Sequence, residues 1–213
     1  MIKSQFQYHK QFKIAPAMPL DDLANMAFIG AVYHLGRIKK LAISPCIQTM
    51  WQNDDTIDEA TKKRFQAGVN QFHWHVRAYF WELVASFDTM LQWVNQRYAL
   101  SVPEDKVTWV TIHKKATMAK VDQTEWSKKH TSLENAWDST WFYEIRQYRN
   151  FAHRAFLFVN AEYNGHYGKS DPTLKNIWLT PAREGQQDYV DIILHLSNYL
   201  EKMRQLGATI FTQ

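Results

Sequence analysis

The sequence predicts an all-α fold, an up-and-down helical bundle, and three observations carry that prediction. Only seven Gly and six Pro occur in 213 residues, too few for the many tight turns of an all-β chain. One long segment, about residues 59–98, repeats large apolar side chains at helical period. No stretch alternates convincingly as a strand does. With 46% apolar and 22% charged residues the chain is not a disordered one. Its length fits a single domain that buries about 70% of the extended chain's surface.

Residues 1–18 read as irregular, closed by Pro16 and Pro19. A helix follows from Leu20 to about Lys40. Asp21 and Asp22 suit the positive end of its dipole, and Lys39 and Lys40 the negative end. Ser44-Pro45 breaks the chain, 44–57 is a polar connector, and Asp58 is the predicted N-cap of the next helix. That helix runs to about Tyr98. At about 100° per residue, Phe65, Val69, Phe72, Val76, Tyr79, Phe80, Leu83, Phe87, Met90, Leu91 and Val94 share an arc of about 120°. Trp74 and Trp81 lie on a different side and are candidates for a second contact surface. Pro103, with Glu104 and Asp105, opens a helix to about Lys120. Residues 121–134 are polar and lack clear boundaries. Helical period returns from about Leu133 to Tyr163. Asn164 to Gln186, with Gly165, Gly168, Gly185, Pro172 and Pro181, reads as a long loop, which in a compact domain is functional or mobile. A last helix, about Gln187 to Gln205, buries Tyr189, Ile193, Leu196 and Leu200. The organisation expected is one domain overall. Residues 1–55 form an irregular arm plus an extra N-terminal helix packed on the core, and 56–213 form the bundle.

Composition bounds the function. A net charge of +4 permits a polyanionic partner without demanding one. No apolar run approaches the roughly 18 residues of a membrane span, and MIKSQFQYHK has no hydrophobic signal core, so the expectation is a soluble cytoplasmic protein without membrane contact. The single cysteine, Cys46, excludes an internal disulfide and a cysteine-based zinc site. Nine Trp, ten Tyr and twelve Phe exceed the needs of one core. Some should serve a subunit contact or stack on bases.

The segment that carries chemistry is Trp141-Phe-Tyr-Glu-Ile-Arg-Gln-Tyr-Arg-Asn-Phe-Ala-His-Arg154. Trp141, Ile145, Tyr148, Ala152, Ala155, Phe156 and Val159 fill one arc of about 100°. Arg146, Asn150 and His153 fall together on the opposite side, with Arg149 at the border. The arginine fork matches phosphate oxygens, and imidazole exchanges a proton near neutral pH. Were RNA to bind, His153 could draw the 2′-hydroxyl proton while the arginines hold the charge of the pentavalent phosphate. DNA lacks that hydroxyl. Arg146 and His153 are about 10 Å apart along one helix, so one phosphate would meet both only across a two-fold axis, and a homodimer is expected. The plain alternative is a solvated polar face. Arg154, His166 and Lys169 are candidate substrate-binding residues, the latter two from a loop able to reach over the basic face. No metal or cofactor is expected: the imidazoles of His73-Trp74-His75 diverge on a helix, with His73 reading as a core histidine, and Gly165-His-Tyr-Gly-Lys-Ser170 is too short for a phosphate loop.

Arg146-Gln-Tyr-Arg-Asn-Phe-Ala-His153, late in an all-helical bundle, resembles the Arg-x4–6-His motif of the HEPN superfamily, and Arg149-Asn150 resembles the Arg-Asn pair often seen there. The resemblance covers about residues 59–205 as helical order. It implies a HEPN-like bundle and a metal-independent endoribonuclease working as a dimer, with an antitoxin or other protein partner in toxin–antitoxin or phage-defence systems. It implies equally a second reading, a non-catalytic module that binds nucleotides or proteins.

Overall fold

The computed structural model of the chain describes residues 19–44, 58–118, 123–154, 159–160, 178–179 and 190–211. Within them lie six α-helices: α1 (Leu20–Ala42), α2 (Glu59–Arg97), α3 (Trp109–Met118), α4 (Gln123–Asp138), α5 (Thr140–Arg154) and α6 (Ile192–Phe211). The charge pattern of α1 is as predicted, Asp21 and Asp22 in the first turn and Lys39 and Lys40 in the last. α2 begins at the predicted cap. Asp58 accepts from the Thr61 amide at 2.9 Å and from the Thr61 hydroxyl at 2.7 Å. Those bonds, the amide's first, hold its carboxyl below the usual aspartate pKa.

α2, with 39 residues and roughly 58 Å of length, is the spine. Phe72, Val76, Tyr79, Phe80, Leu83, Phe87, Met90, Leu91 and Val94 of the predicted stripe are all buried. α1, α5, α6 and α3 pack around it. α1 approaches closely at Gly30, where a Cβ would stand 2.8 Å from the Glu82 carboxyl carbon. The spine ends in a tight reversal. Ala99 and Ser101 adopt left-handed backbone with φ of 49° and 57°, and the Leu100 amide donates to the Asn95 carbonyl at 3.0 Å. The Asn95 side chain then grips Val102, donating to its carbonyl at 2.8 Å and accepting from its amide at 3.0 Å.

Four expectations are corrected. Pro103 opens only a 3-10 turn, Glu104–Lys106, and the helix proper starts after Thr108, whose hydroxyl accepts from the Thr111 amide at 3.3 Å. The long helix expected from Leu133 to Tyr163 is two helices split at Ser139. Its hydroxyl donates to the Ala136 carbonyl at 2.5 Å and accepts from the Phe142 amide at 3.3 Å. One serine thus closes α4 and caps α5, the competition with helical bonding that serine favours. Beyond Arg154, where a helix to Tyr163 and no strand were expected, Val159–Asn160 (β1) pairs antiparallel with Trp178–Leu179 (β2), and β2 with Val190–Asp191 (β3). Pairing through Asp191 delays α6 to Ile192, and it continues to Phe211 rather than ending near Gln205. Leu196 is buried and Ile193 and Leu200 pack partly against the core, while Tyr189 lies outside the described residues. Among the described residues no helix is long and apolar enough to cross a membrane.

Candidate active site on the fifth helix

α5 is positioned by aromatic pairs. Phe142 packs on Phe87 with ring centroids 4.2 Å apart, and Tyr148 stacks on Phe80 at 4.8 Å. The helix is therefore antiparallel to α2. Its opposite flank meets α6, where Glu144 is buried. The buried arc is wider than the periodicity suggests, because α5 is packed by several helices rather than one. Phe142, one turn before Arg146 on the same side, is 1% exposed.

Arg146 is consequently half-buried and does not stand outward. Its guanidinium lies 3.7 Å from the centre of the Trp137 ring, and Nη2 donates to the Trp137 carbonyl in the last turn of α4 at 3.1 Å. Burial lowers its pKa from the ordinary arginine value, helped by Arg149 and opposed by Asp138 and Tyr143; a guanidinium stays charged at neutral pH regardless. Arg149 is also half-buried. The Nε atoms of both arginines are buried without a hydrogen-bond partner among the described residues. Asp88 of α2 feels Arg149: burial raises its pKa and the arginine opposes that rise. Asn150 is exposed. His153 and Arg154 close α5, but their side chains, like His166 and Lys169 entirely, lie outside the described residues.

Helical spacing sets the remaining relations. Arg149 and His153 are one turn apart, about 6 Å along the axis and about 40° around it. Arg146 and His153 are two turns apart, about 10 Å. Across the antiparallel pair, Trp81 stands to Phe80 as Arg149 stands to Tyr148, so the exposed Trp81 ring and the arginine occupy the same side of the bundle. Trp74 is exposed as well, as expected.

Three polar clusters escaped the sequence reading. The Tyr199 hydroxyl donates to the buried Glu144 at 2.6 Å and meets His195 Nε2, which stands 3.5 Å from the same carboxylate. Burial first, and then Glu144, push the Tyr199 pKa far above the tyrosine range. The i,i+4 spacing of His195 and Tyr199 was the available signal. Second, in His73-Trp74-His75 the buried histidine is His75, not His73, because α1 packs over that flank; its Nδ1 lies 2.9 Å from His34 Nδ1. Third, His113 of α3 meets His130 and Glu134 of α4. His130 and Glu134 are one turn apart, a visible pair, but nothing in the sequence brings His113 to them.

A sequence profile of the family described as HEPN_Cthe2314-like HEPN matches residues 26–212. No curated protein and no solved structure matches.

Proposed function

Because the chain belongs to the HEPN superfamily, we propose that it is a metal-independent endoribonuclease acting as a homodimer, in a toxin–antitoxin or phage-defence setting. His153 is the general base that takes the proton from a ribose 2′-hydroxyl. The alkoxide attacks the adjacent phosphorus, the bond to the 5′-oxygen breaks, and that oxygen leaves with a proton supplied by water. Arg149 and Asn150, within one turn of His153, hold the phosphate on the same chain. Arg146 of the second copy, once its guanidinium leaves Trp137, reaches it across the two-fold axis, since about 10 Å separates it from His153 on its own helix. Arg154, His166 and Lys169 add contacts to the RNA backbone.

The observation that carries this reading is the setting of Arg149. Its Nε has no hydrogen-bond partner among the described residues, it has Asp88 beside it, and it shares a side of the bundle with the exposed Trp81, a ring on which a base can stack. A second reading, a non-catalytic nucleotide- or protein-binding module, draws on Arg146, whose guanidinium is already committed to Trp137. His153→Ala separates them. Cleavage of RNA in EDTA should vanish while helicity and mass in solution stay unchanged. Undiminished cleavage by that variant removes the mechanism. Absence of turnover in the unmodified protein, with RNA or nucleotide bound all the same, favours the module.

A further inference from the structure

We propose that His113, His130 and Glu134 form a binding site for a zinc-class divalent metal ion, clipping α3 to α4 at a place separate from the basic side of α5. The three side chains come from two helices. His130 and Glu134, four residues apart, project from the same side of α4, and α3 lays His113 against them. His130 Nε2 stands 2.9 Å from His113 Nδ1, and one ligand atom from each of the three residues lies within 4.8 Å of the others. A tetrahedral zinc ion with bonds of about 2.0–2.1 Å holds its donor atoms about 3.3 Å apart. Small rotations of the rings and of the carboxylate would meet that geometry.

Hydrogen bonding alone leaves the arrangement incomplete. The Glu134 oxygens stand 3.9 Å from His113 Nδ1 and 4.0 Å from His130 Nδ1, beyond hydrogen-bond length. A carboxylate thus faces two imidazoles at ion-pair distance without a hydrogen bond to either, the disposition a cation would complete. Two nitrogens and one oxygen select zinc, cobalt, nickel or copper over calcium or magnesium. Trp109 flanks both rings, at 5.3 and 5.4 Å, and Trp126 flanks His130 at 5.1 Å. These walls fix ring orientation, as the surroundings of metal ligands commonly do. The His113 and Glu134 side chains are 43% and 42% exposed, so an ion can enter from solvent and keep a water as fourth ligand. Trp109 also approaches Trp137 at 6.5 Å, and Trp137 carries Arg146. The clip would therefore steady the platform beneath that arginine.

Titration of the apo chain with Zn2+ and Co2+ tests the site. The expected result is one equivalent bound with Kd near or below about 10 µM, visible absorption of tetrahedral cobalt, and a higher melting temperature with metal. His113→Asn and Glu134→Gln should each weaken binding at least about tenfold and abolish the thermal shift, with helicity retained by circular dichroism. Failure to bind one equivalent at the stated affinity overturns the proposal, as does binding that both variants leave intact. Either outcome leaves the α5 reading standing, since that activity is measured in EDTA.

Discussion

Arg146 joins two helices through one planar group. One face of the guanidinium rests on Trp137 and one Nη atom answers a carbonyl that the end of α4 leaves without a helical partner. Removing it should loosen the α4–α5 junction. Arg146→Ala is expected to cost about 1–3 kcal/mol from the lost charge-assisted bond and cation–π contact, read from urea unfolding. An unchanged midpoint would mean the stack contributes nothing. Arg149→Ala, which removes no such clamp among the described residues, should leave that midpoint nearly in place while reducing RNA cleavage. Tyr199→Phe makes the complementary point in the core. It takes a donor from the buried Glu144, with an expected loss of about 1–3 kcal/mol.

Helix ends and helix contacts hold the next set of consequences. Ala99 terminates α2 in left-handed backbone, a conformation that an L side chain resists and glycine adopts freely. Ala99→Gly should therefore raise stability, by roughly 0.5–1 kcal/mol; a lower unfolding midpoint would show that the strain is absent. The α1–α2 contact carries a pH dependence. His34 and His75 are buried against one another, with the rings of Tyr33 and Trp74 around them. Burial lowers both pKa values, and His34 and Arg37 depress that of His75 further. The unfolded chain thus gains protons first on acidification. The pair's contribution is complete above about pH 6.5 and is lost as pH falls from there through the folded values. Glu82 and Asp88, whose burial raises their pKa, act in the opposite direction and at lower pH. Melting temperature should decline from pH 7 to 5.5, and His75→Gln should flatten that decline. A slope indifferent to the substitution would place the effect elsewhere.

At the level of the whole molecule, what the sequence could reveal follows from how far each signal reaches. The α2 spine was legible because a single helix repeats one buried side over 39 residues. The burial of Arg146 was not, since periodicity finds an apolar side but not the number of helices packed around it. Phe142 fell on the supposedly open flank for that reason. Strands of two residues carry no period, and pairs such as His34 with His75 exist only once α1 folds onto α2. Membership of the HEPN superfamily was readable from a short local resemblance, although the groups packed around that segment were not. That same locality motivates the last prediction. If Arg146 serves a phosphate at which His153 of a second copy acts as base, the two residues need not come from one chain. An equimolar, re-equilibrated mixture of Arg146→Ala and His153→Ala subunits forms mixed dimers in about half of cases. Each mixed dimer keeps one of two composite sites intact, so about a quarter of the original activity should return. A mixture of Arg149→Ala with His153→Ala should recover none, because those groups act on the same helix. Particles of twice the 25.2 kDa chain mass are required for either result, and a strict monomer that cleaves RNA would overturn the shared site.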